Sequence, residues 1–282
     1  MEKDEPFENY FRNDDYVTPP GSLTELLAHP FFSETDTVEL SIFNDHRYAF
    51  FFWNKWTLKR KRGKQKTKPP CLVTLDWHQD LLWPNNTEKK WLDSLDTDSN
   101  KDVAYFAWAN LNPLNDGHIM AATYLNLIGD VYVHCRQGTL ESSWANKLFK
   151  DKYGNTHTVR KFKSFEALEE CMLASKESKV YFDIDLDFFT LNNPYNGVGK
   201  TFTYLTEVEI RNMLAKERPL IEWIFQRLQG FTIAIEPEHS GGFLKASRLL
   251  NLISKIYFKP ALFSNYGDNW AKRTNWSHLT RF

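Results

Sequence analysis

The sequence has little of several features that define large classes of proteins. Its three cysteines, Cys71, Cys135 and Cys171, are widely spaced, which excludes a disulfide scaffold or a zinc knuckle and fits a reducing cytoplasm. No apolar run reaches the roughly 18 residues that a membrane span needs, and the N-terminus lacks the form of a signal peptide. The net charge of −1 argues against bulk binding to nucleic acid or to a membrane surface. We therefore expect a cytoplasmic protein without nucleic-acid or membrane partners.

Length and composition suit one folded domain. The chain has 282 residues, of which 42% are hydrophobic, enough to bury a single α/β core. We expect one domain over residues 1–282, with an irregular N-terminal segment over 1–35, a basic insertion loop over 59–70 and an irregular tail over 264–282. The loop carries seven cations and no acid from 59 to 68. A solvated loop is the simpler interpretation, and a contact with an acidic peptide is the other.

Hydrophobic patterns predict strands that alternate with helices. The strand patterns cover residues 37–43, 71–76, 103–108, 131–134, 179–185 and 231–236. The helical patterns cover residues 47–59, 119–128, 164–175, 206–228 with a kink near Pro219, and 242–258. Such alternation predicts an α/β fold with a mainly parallel, doubly wound sheet. Functional groups in these sheets gather beyond the carboxyl ends of the strands.

Two short runs place acidic side chains on alternate residues where predicted strands end. The residues are Asp76, His78 and Asp80 in the first run, and Asp183, Asp185 and Asp187 in the second. Residues two apart on a strand face the same side, so each run can converge on one point. Buried carboxylates at such spacing repel one another and lose hydration, which is costly unless cations lie among them. The two runs therefore predict a metal site.

The donor set favours two manganese ions. His46, placed where a strand gives way to a helix, completes a proposed ligand set of His46, Asp76, His78, Asp80, Asp183 and Asp185. With neutral imidazoles, the negative charge of the four aspartates is balanced by two divalent cations. Ligation dominated by carboxylates favours manganese over zinc. Two such ions about 3.5–4 Å apart can share a water and lower its pKa towards about 7.

These residues resemble the motifs of the arginase–agmatinase superfamily, the binuclear manganese ureohydrolases. His46 and the preceding Asp45 look like that family's Asp-His, residues 76–80 like its Asp-x-His-x-Asp, and residues 182–185 like its Phe-Asp-x-Asp. Together with residues 128–133, they are similar to the peptide arginases, which convert arginine residues of a ribosomally made precursor peptide to ornithine and release urea. The resemblance implies the three-layer α/β/α arginase fold and two Mn²⁺ ions.

The resemblance also implies which residues handle the substrate. His118 opens a predicted helix and matches a proton-shuttling histidine of the family, so it becomes the candidate acid for the leaving amine. Glu236 ends the last strand and matches a glutamate that receives the guanidinium, which a carboxylate can hold through two parallel hydrogen bonds. Glu238 and His239 lie close enough to compete for these roles. The predicted substrate-binding residues are Glu236, Glu238 and Asp187, and at Asp187 the family's Asp-x-Asp-x-x-Asp-Pro pattern is altered.

The leading hypothesis is a binuclear manganese hydrolase that acts on arginine residues of a precursor peptide. A small-molecule ureohydrolase of the arginase or agmatinase type is the nearest alternative. A haloacid-dehalogenase-like phosphatase would use the second acidic run but leaves residues 76–80 without a role. A non-catalytic peptide-binding protein would bind an acidic leader through the basic loop and hold no metal.

Overall fold

The protein is described here by a computed structural model over five ranges of the chain. These ranges are residues 14–32, 36–62, 68–137, 147–192 and 202–258. The tail predicted over 264–282 and the middle of the basic loop, 63–67, lie outside the described residues. Within the described ranges, no helix combines the length and apolarity needed to cross a bilayer.

Two sheets contain the strands of the described residues. The strands, in chain order, are β1 (Leu23–Ala28), β2 (Thr37–Phe43), β3 (Cys71–Asp76), β4 (Val131–Cys135), β5 (Lys147–Lys150), β6 (Thr156–Phe162), β7 (Val180–Asp185), β8 (Thr190–Asn192), β9 (Thr203–Tyr204) and β10 (Leu228–Ala234). The large sheet has the order β1-β2-β10-β7-β3-β4-β6-β5, and β8 pairs with β9. Its edge strands β1 and β5 are antiparallel to their neighbours, whereas the strands between them are parallel. The prediction of a mainly parallel, doubly wound sheet is confirmed.

Helices cover both faces of this sheet. They are α1 (Ala49–Arg62), α2 (Asn86–Ser94), α3 (Asn100–Ala109), α4 (His118–Tyr124), α5 (Phe165–Leu173), α6 (Glu207–Met213), α7 (Pro219–Phe225) and α8 (Phe243–Tyr257). Buried side chains of α1 to α4 form one apolar core with one face of the sheet, and those of α5 to α8 form a second core with the other face. The fold is therefore the expected three-layer α/β/α arrangement.

Local sequence signals explain where several helices begin. Asn85 and Thr206 start α2 and α6 with capping boxes, in which the glutamate three residues later bonds back to the cap. These reciprocal bonds satisfy backbone N–H groups that the first helical turn leaves without partners. Pro219 occupies the first turn of α7, where its missing N–H and fixed φ are suited to a helix start.

Alternation along the central strands concentrates polar groups on one face. In β7, Val180, Phe182 and Ile184 belong to the core with α5 to α8, whereas Tyr181 belongs to the core with α1 to α4. Since successive side chains of a strand point to opposite faces, Asp183 and Asp185 face the α1 to α4 layer. The same alternation in β3 places Thr74 and Asp76 on that face. The polar residues of neighbouring strands thus meet on one side of the sheet.

The prediction of a strand over residues 103–108 is wrong, because this segment lies inside α3. Ser99 caps the helix by accepting a hydrogen bond from the backbone N–H of Asp102. Val103, Phe106 and Ala107 are buried, which is a spacing of three and four residues and fits one face of a helix. The β-prone side chains suggested a strand, but the cap and this spacing favour a helix.

Other boundaries also differ from the prediction. The N-terminal segment is not irregular throughout, since β1 lies within it and pairs with β2. The helix expected over 206–228 is divided into α6 and α7, because a proline cannot continue a helix from the preceding turn. Strands β5 and β6 extend the sheet beyond β4 without having been predicted. The first residues of the expected basic loop, 59–62, belong to α1.

Candidate metal centre

Four neighbouring strands end at one acidic cluster. Asp76 is the last residue of β3, and Asp80 follows that strand. Asp185 is the last residue of β7, His46 follows β2, and Glu236 follows β10. These strands are adjacent in the order β2-β10-β7-β3, and all five side chains are buried. Because parallel strands present their carboxyl ends at the same edge, the sheet brings residues distant in sequence together.

The donor atoms of the cluster fall into two adjoining centres. Four groups each bring three donor atoms within 4.8 Å of one another: His46, Asp76 and Asp185; His46, Asp80 and His118; Asp76, His78 and Asp187; and Asp185, Asp187 and Glu236. The two groups that contain His46 form the first centre, and the two groups that contain Asp187, one of them with His78, form the second. Asp76 and Asp185 connect the two centres, because each belongs to one group of the first centre and to one group of the second. This arrangement can hold two cations with carboxylates between them.

Three aspartates each use one oxygen for the backbone and turn the other towards the cluster. Asp76 accepts a hydrogen bond from the N–H of His78 at 2.6 Å, Asp185 from that of Asp187 at 3.1 Å, and Asp187 from that of Trp77 at 3.2 Å. The second oxygen of Asp76 is buried without a hydrogen-bond partner, and that of Asp187 is buried 2.9 Å from Nδ1 of His78. Buried carboxylate oxygens whose neighbours are other metal-ligand atoms are costly without added positive charge, and they are suited to binding a cation.

His46 is held in the orientation that a metal ligand requires. Its Nε2 lies 2.8 Å from Asp183 Oδ2, and its Nδ1 lies 3.0 Å from Asp80 Oδ2 and 3.3 Å from Asp185 Oδ2. Nδ1 has no hydrogen-bond partner. A proton on Nε2, donated to Asp183, leaves the lone pair of Nδ1 directed at the cluster, as in the carboxylate–histidine–metal arrangement.

Asp183 lies behind this histidine and outside the four donor groups. Its oxygens also accept hydrogen bonds from Thr74 Oγ1 at 2.7 Å and Thr232 Oγ1 at 2.6 Å. With these bonds and His46, both oxygens already have partners. Asp183, predicted as a metal ligand, is therefore in a position to orient His46 instead, whereas Asp187, predicted as a substrate-binding residue, lies among the candidate ligands.

The electrostatics of the cluster favour added positive charge. Burial, together with neighbouring carboxylates, raises the pKa of Asp76 and of Asp185 well above their usual range. Burial alone would lower the pKa of His46, but the charge of Asp183 and its other acidic neighbours raise it well above its usual value. Within the described part of the chain, the ion-pair partners of the cluster's carboxylates are histidines. Two divalent cations would balance Asp76, Asp80, Asp185 and Asp187, so this donor set fits them.

Glu236 is held at the edge of the cluster by two hydrogen-bond donors, and its backbone is strained. Its Oε1 accepts hydrogen bonds from the backbone N–H of His46 at 3.0 Å and from the side-chain amide of Asn115. Glu236, Asn115 and Asp80 have φ values of 36°, 59° and 52°, a left-handed region that is unfavourable for residues other than glycine. Such strain is often found at functional sites. Burial raises the pKa of Glu236 to about 7.

A cavity of about 750 Å³ opens beside the cluster. Asp80, His78 and Glu236 connect it to the metal centre. Its walls include apolar and aromatic side chains, among them Trp83 and Phe149, whose rings stack with centroids 4.8 Å apart. A ligand in this cavity would reach the cluster through Glu236.

The two histidines considered for proton transfer lie in different places. His118 is buried against Trp53, its Nδ1 lies 2.9 Å from the carbonyl oxygen of Asn115, and it is absent from the cavity lining. Burial and the neighbouring His46 lower its pKa well below the usual value. His239 lines the cavity and packs against His78, with ring centroids 5.3 Å apart. The geometry favours His239 as the group that meets a substrate.

The other predicted residue, Glu238, is exposed and does not line the cavity. The structure also adds residues that the sequence did not single out, namely Thr74, Thr232 and Asn115. Their only sequence signal is position: each threonine is a polar residue inside an apolar strand, and Asn115 precedes α4 in a run of turn-forming residues. These residues fix Asp183 and Glu236 rather than carry charge themselves.

Comparisons with known proteins found similar solved structures, among them the following two. No protein-family model and no curated protein matches the chain. The chain is similar to proclavaminate amidino hydrolase from Streptomyces clavuligerus, with 14% identity and a TM-score of 0.39 over 69% of this chain and 54% of that one. It is also similar to the agmatine ureohydrolase of Thermoplasma volcanium, with 16% identity and a TM-score of 0.36 over 74% of this chain and 68% of that one. The match thus spans about half the length of the first structure.

The fold and the site together define an α/β/α protein with a candidate binuclear metal centre at the carboxyl edge of its sheet.

Proposed function

We propose that this protein is a binuclear manganese hydrolase that converts arginine residues of a peptide to ornithine and releases urea. The observation that carries the proposal is the pair of adjoining carboxylate–histidine centres, which open into a cavity through Glu236. The sequence motifs that resemble those of the ureohydrolases supply residues of both centres. A haloacid-dehalogenase-like phosphatase gives no role to Asp80 and His78, which lie in the same cluster.

The residues of the chain have distinct roles in this reaction. Two Mn²⁺ ions held by the cluster would supply a hydroxide from water at neutral pH. Glu236 binds the guanidinium, whose positive charge favours the ionised carboxylate, and the Oε1 bonds fix its orientation. Water adds to the guanidinium carbon, the bond from that carbon to the side-chain nitrogen breaks, and urea and the ornithine amine are released. His239, which lines the cavity, gives the leaving amine its proton.

The cavity supports a substrate that lacks a free carboxylate. Lys147 is the one cation among its described lining residues, whereas Asp80, Asp116 and Glu236 are acidic. This charge favours a cationic guanidinium and disfavours the carboxylate of a free amino acid. The apolar wall formed by Trp83 and Phe149 is suited to neighbouring side chains of a peptide. These features favour a peptidyl arginine over free arginine.

Urea release tests the proposal directly. Protein loaded with Mn²⁺ should release urea from an arginine-containing peptide and convert that residue to ornithine, which mass spectrometry detects as the loss of the amidine group. Asp76→Asn should abolish release, whereas Asp102→Asn, the same change at an exposed position, should not. Urea from free arginine or agmatine alone would refute the peptide substrate, and release of phosphate from phosphate esters without urea would refute the ureohydrolase.

A further inference from the structure

A second cavity lies between α6 and α8, outside the metal centre. Its volume is about 450 Å³, and its lining includes Tyr204, residues of α6 and residues along one side of α8. Ile210, Leu249 and Leu252 provide apolar lining. A groove between two helices with a partly apolar lining is suited to a peptide segment rather than to a flat surface.

The groove is basic. Lys245, Arg248 and Lys255 line it from α8, a helix whose sequence contains no acidic residue. None of these three cations forms an ion pair within the described ranges of the chain. Arg211 adds a fourth cation from α6, where it pairs at 2.7 Å with Glu207, an acidic residue that also lines the groove. The groove therefore presents positive charge that an acidic partner would complement.

The lining of the groove also offers a hydrogen-bond acceptor. Asn251 lines the groove between Arg248 and Lys255, and its Oδ1 is buried without a hydrogen-bond partner. A buried acceptor of this kind is costly unless a donor reaches it. The backbone N–H of a bound peptide is a donor of the right type. An acidic segment could thus pair with the cations and satisfy Asn251.

The groove and the metal centre share one turn of the chain. Residues 236–242 form this turn, which begins with Glu236 at the metal centre and passes through His239 at the first cavity. Tyr204, which lines the groove, donates a hydrogen bond from its hydroxyl to the carbonyl oxygen of Ser240 at 3.0 Å. A Cβ at Gly241 would collide with that hydroxyl, and φ there is 83°. The turn therefore separates the two cavities by only a few residues.

We propose that the groove between α6 and α8 binds an acidic segment of the peptide whose arginine enters the first cavity. The choice of a peptide rests on the proposed function, and the choice of an acidic segment rests on the charge of the groove. The whole chain has a net charge of −1, which disfavours nucleic acid and extended anionic membranes but not a short segment. Two contacts on one flexible peptide would raise the effective concentration of the arginine at the metal centre.

Binding of a synthetic peptide tests the groove without requiring catalysis. The probe is a short fluorescein-labelled peptide in which glutamate alternates with leucine, and metal-free protein is titrated into it while fluorescence anisotropy is measured. The variant K245E/R248E should bind on the order of tenfold more weakly or worse, since each reversal replaces attraction by repulsion. K101E/K176E, the same reversal at exposed positions elsewhere, should bind like the wild type. Higher salt should weaken binding, because it screens exposed charges.

Kinetics separate this proposal from the proposed function. With a substrate that joins the acidic segment to an arginine, K245E/R248E should raise KM and leave kcat unchanged, and with a minimal arginine peptide it should change neither. Binding of the probe without urea from either substrate would refute the proposed function but support the groove. If the minimal peptide yields urea, but the wild type and K245E/R248E bind the probe equally or not at all, the groove proposal alone is refuted. If the wild type binds RNA or anionic vesicles more tightly than it binds the peptide probe, and K245E/R248E loses that binding, an acidic peptide as the occupant of the groove is also refuted.

Discussion

Exchanging Asp187 for asparagine should remove one of the two metals, whereas the same exchange at Asp183 should only weaken metal binding. The two residues lie four apart in sequence, and both carboxylates are buried. Asp187 Oδ2 lies 2.9 Å from His78 Nδ1, and both residues belong to one group of candidate ligands. Asp183 instead contacts the far nitrogen of His46. The same chemical change therefore acts on a ligand in one case and on a ligand's support in the other.

The expected magnitudes differ by at least tenfold. Two unit charges 4 Å apart interact by about 4 kcal/mol at an effective dielectric constant of about 20, and a divalent ion at ligand distance interacts more strongly. Loss of the Asp187 charge should therefore weaken the second centre by about 10³-fold or more. Loss of a carboxylate that orients a ligating histidine typically costs about 10–100-fold in metal affinity, which is the range expected for Asp183→Asn.

Metal content and calorimetry measure both effects. Protein loaded with Mn²⁺ and freed of excess metal by gel filtration is analysed by inductively coupled plasma mass spectrometry, and metal-free protein is titrated by isothermal calorimetry. Asp187→Asn should retain one metal, and Asp183→Asn should bind two with lower affinity. Circular dichroism checks that each variant is folded, and Asp102→Asn is the exposed control. Loss of metal from Asp183→Asn, with two tightly bound metals in Asp187→Asn, would refute the assignment.

Three further predictions concern pH, substrate binding and proton transfer. Because burial raises the pKa of Glu236 from 4.5 to about 7, the folded metal-free protein keeps a proton that the unfolded chain releases. The contribution of Glu236 to the free energy of unfolding should therefore fall by about 3 kcal/mol as pH rises from about 4.5 to about 7. In calorimetry with EDTA, Tm should fall more over that pH range in the wild type than in Glu236→Gln. Equal slopes of Tm against pH in the two proteins would contradict the raised pKa. Asn115→Gly removes the hydrogen bond to Glu236 without straining φ, and it should lower kcat/KM for peptide by about tenfold or more; an unchanged value would show that this bond does not orient Glu236. His239→Ala should slow turnover by roughly 10²–10⁴-fold without loss of metal. If His118→Ala slows turnover in this way and His239→Ala does not, the proton transfer belongs to His118.

The site could be predicted from the sequence where chemistry and strand position coincide. Asp76, His78, Asp80 and Asp185 stand out because acidic residues and histidine are unusual at the ends of buried apolar strands. The fold class follows from the same strands alternating with helices. The pattern of residues 103–108 misled the prediction, because β-prone side chains also occur on buried faces of helices, and only the Ser99 cap indicates the helix start.

The depth of each aspartate along its strand could not be predicted, because it depends on register between strands. Alternation puts Asp183 and Asp185 on the same face, but it does not say which is level with Asp76. The register pairs Asp183 with Thr74 of β3 and with Thr232 of β10. Asp183 therefore lies one pleat, about 6.6 Å, deeper than Asp185 and is surrounded by hydroxyl groups instead of other carboxylates.

The metal content of the purified protein tests the central claim most directly. If the carboxylates of the cluster are tolerated because cations lie among them, protein purified without chelator and supplied with Mn²⁺ should contain two equivalents of divalent metal per chain, and their removal by EDTA should lower Tm at neutral pH. A folded protein that holds no divalent metal under these conditions, and whose Tm is indifferent to EDTA, would contradict the account.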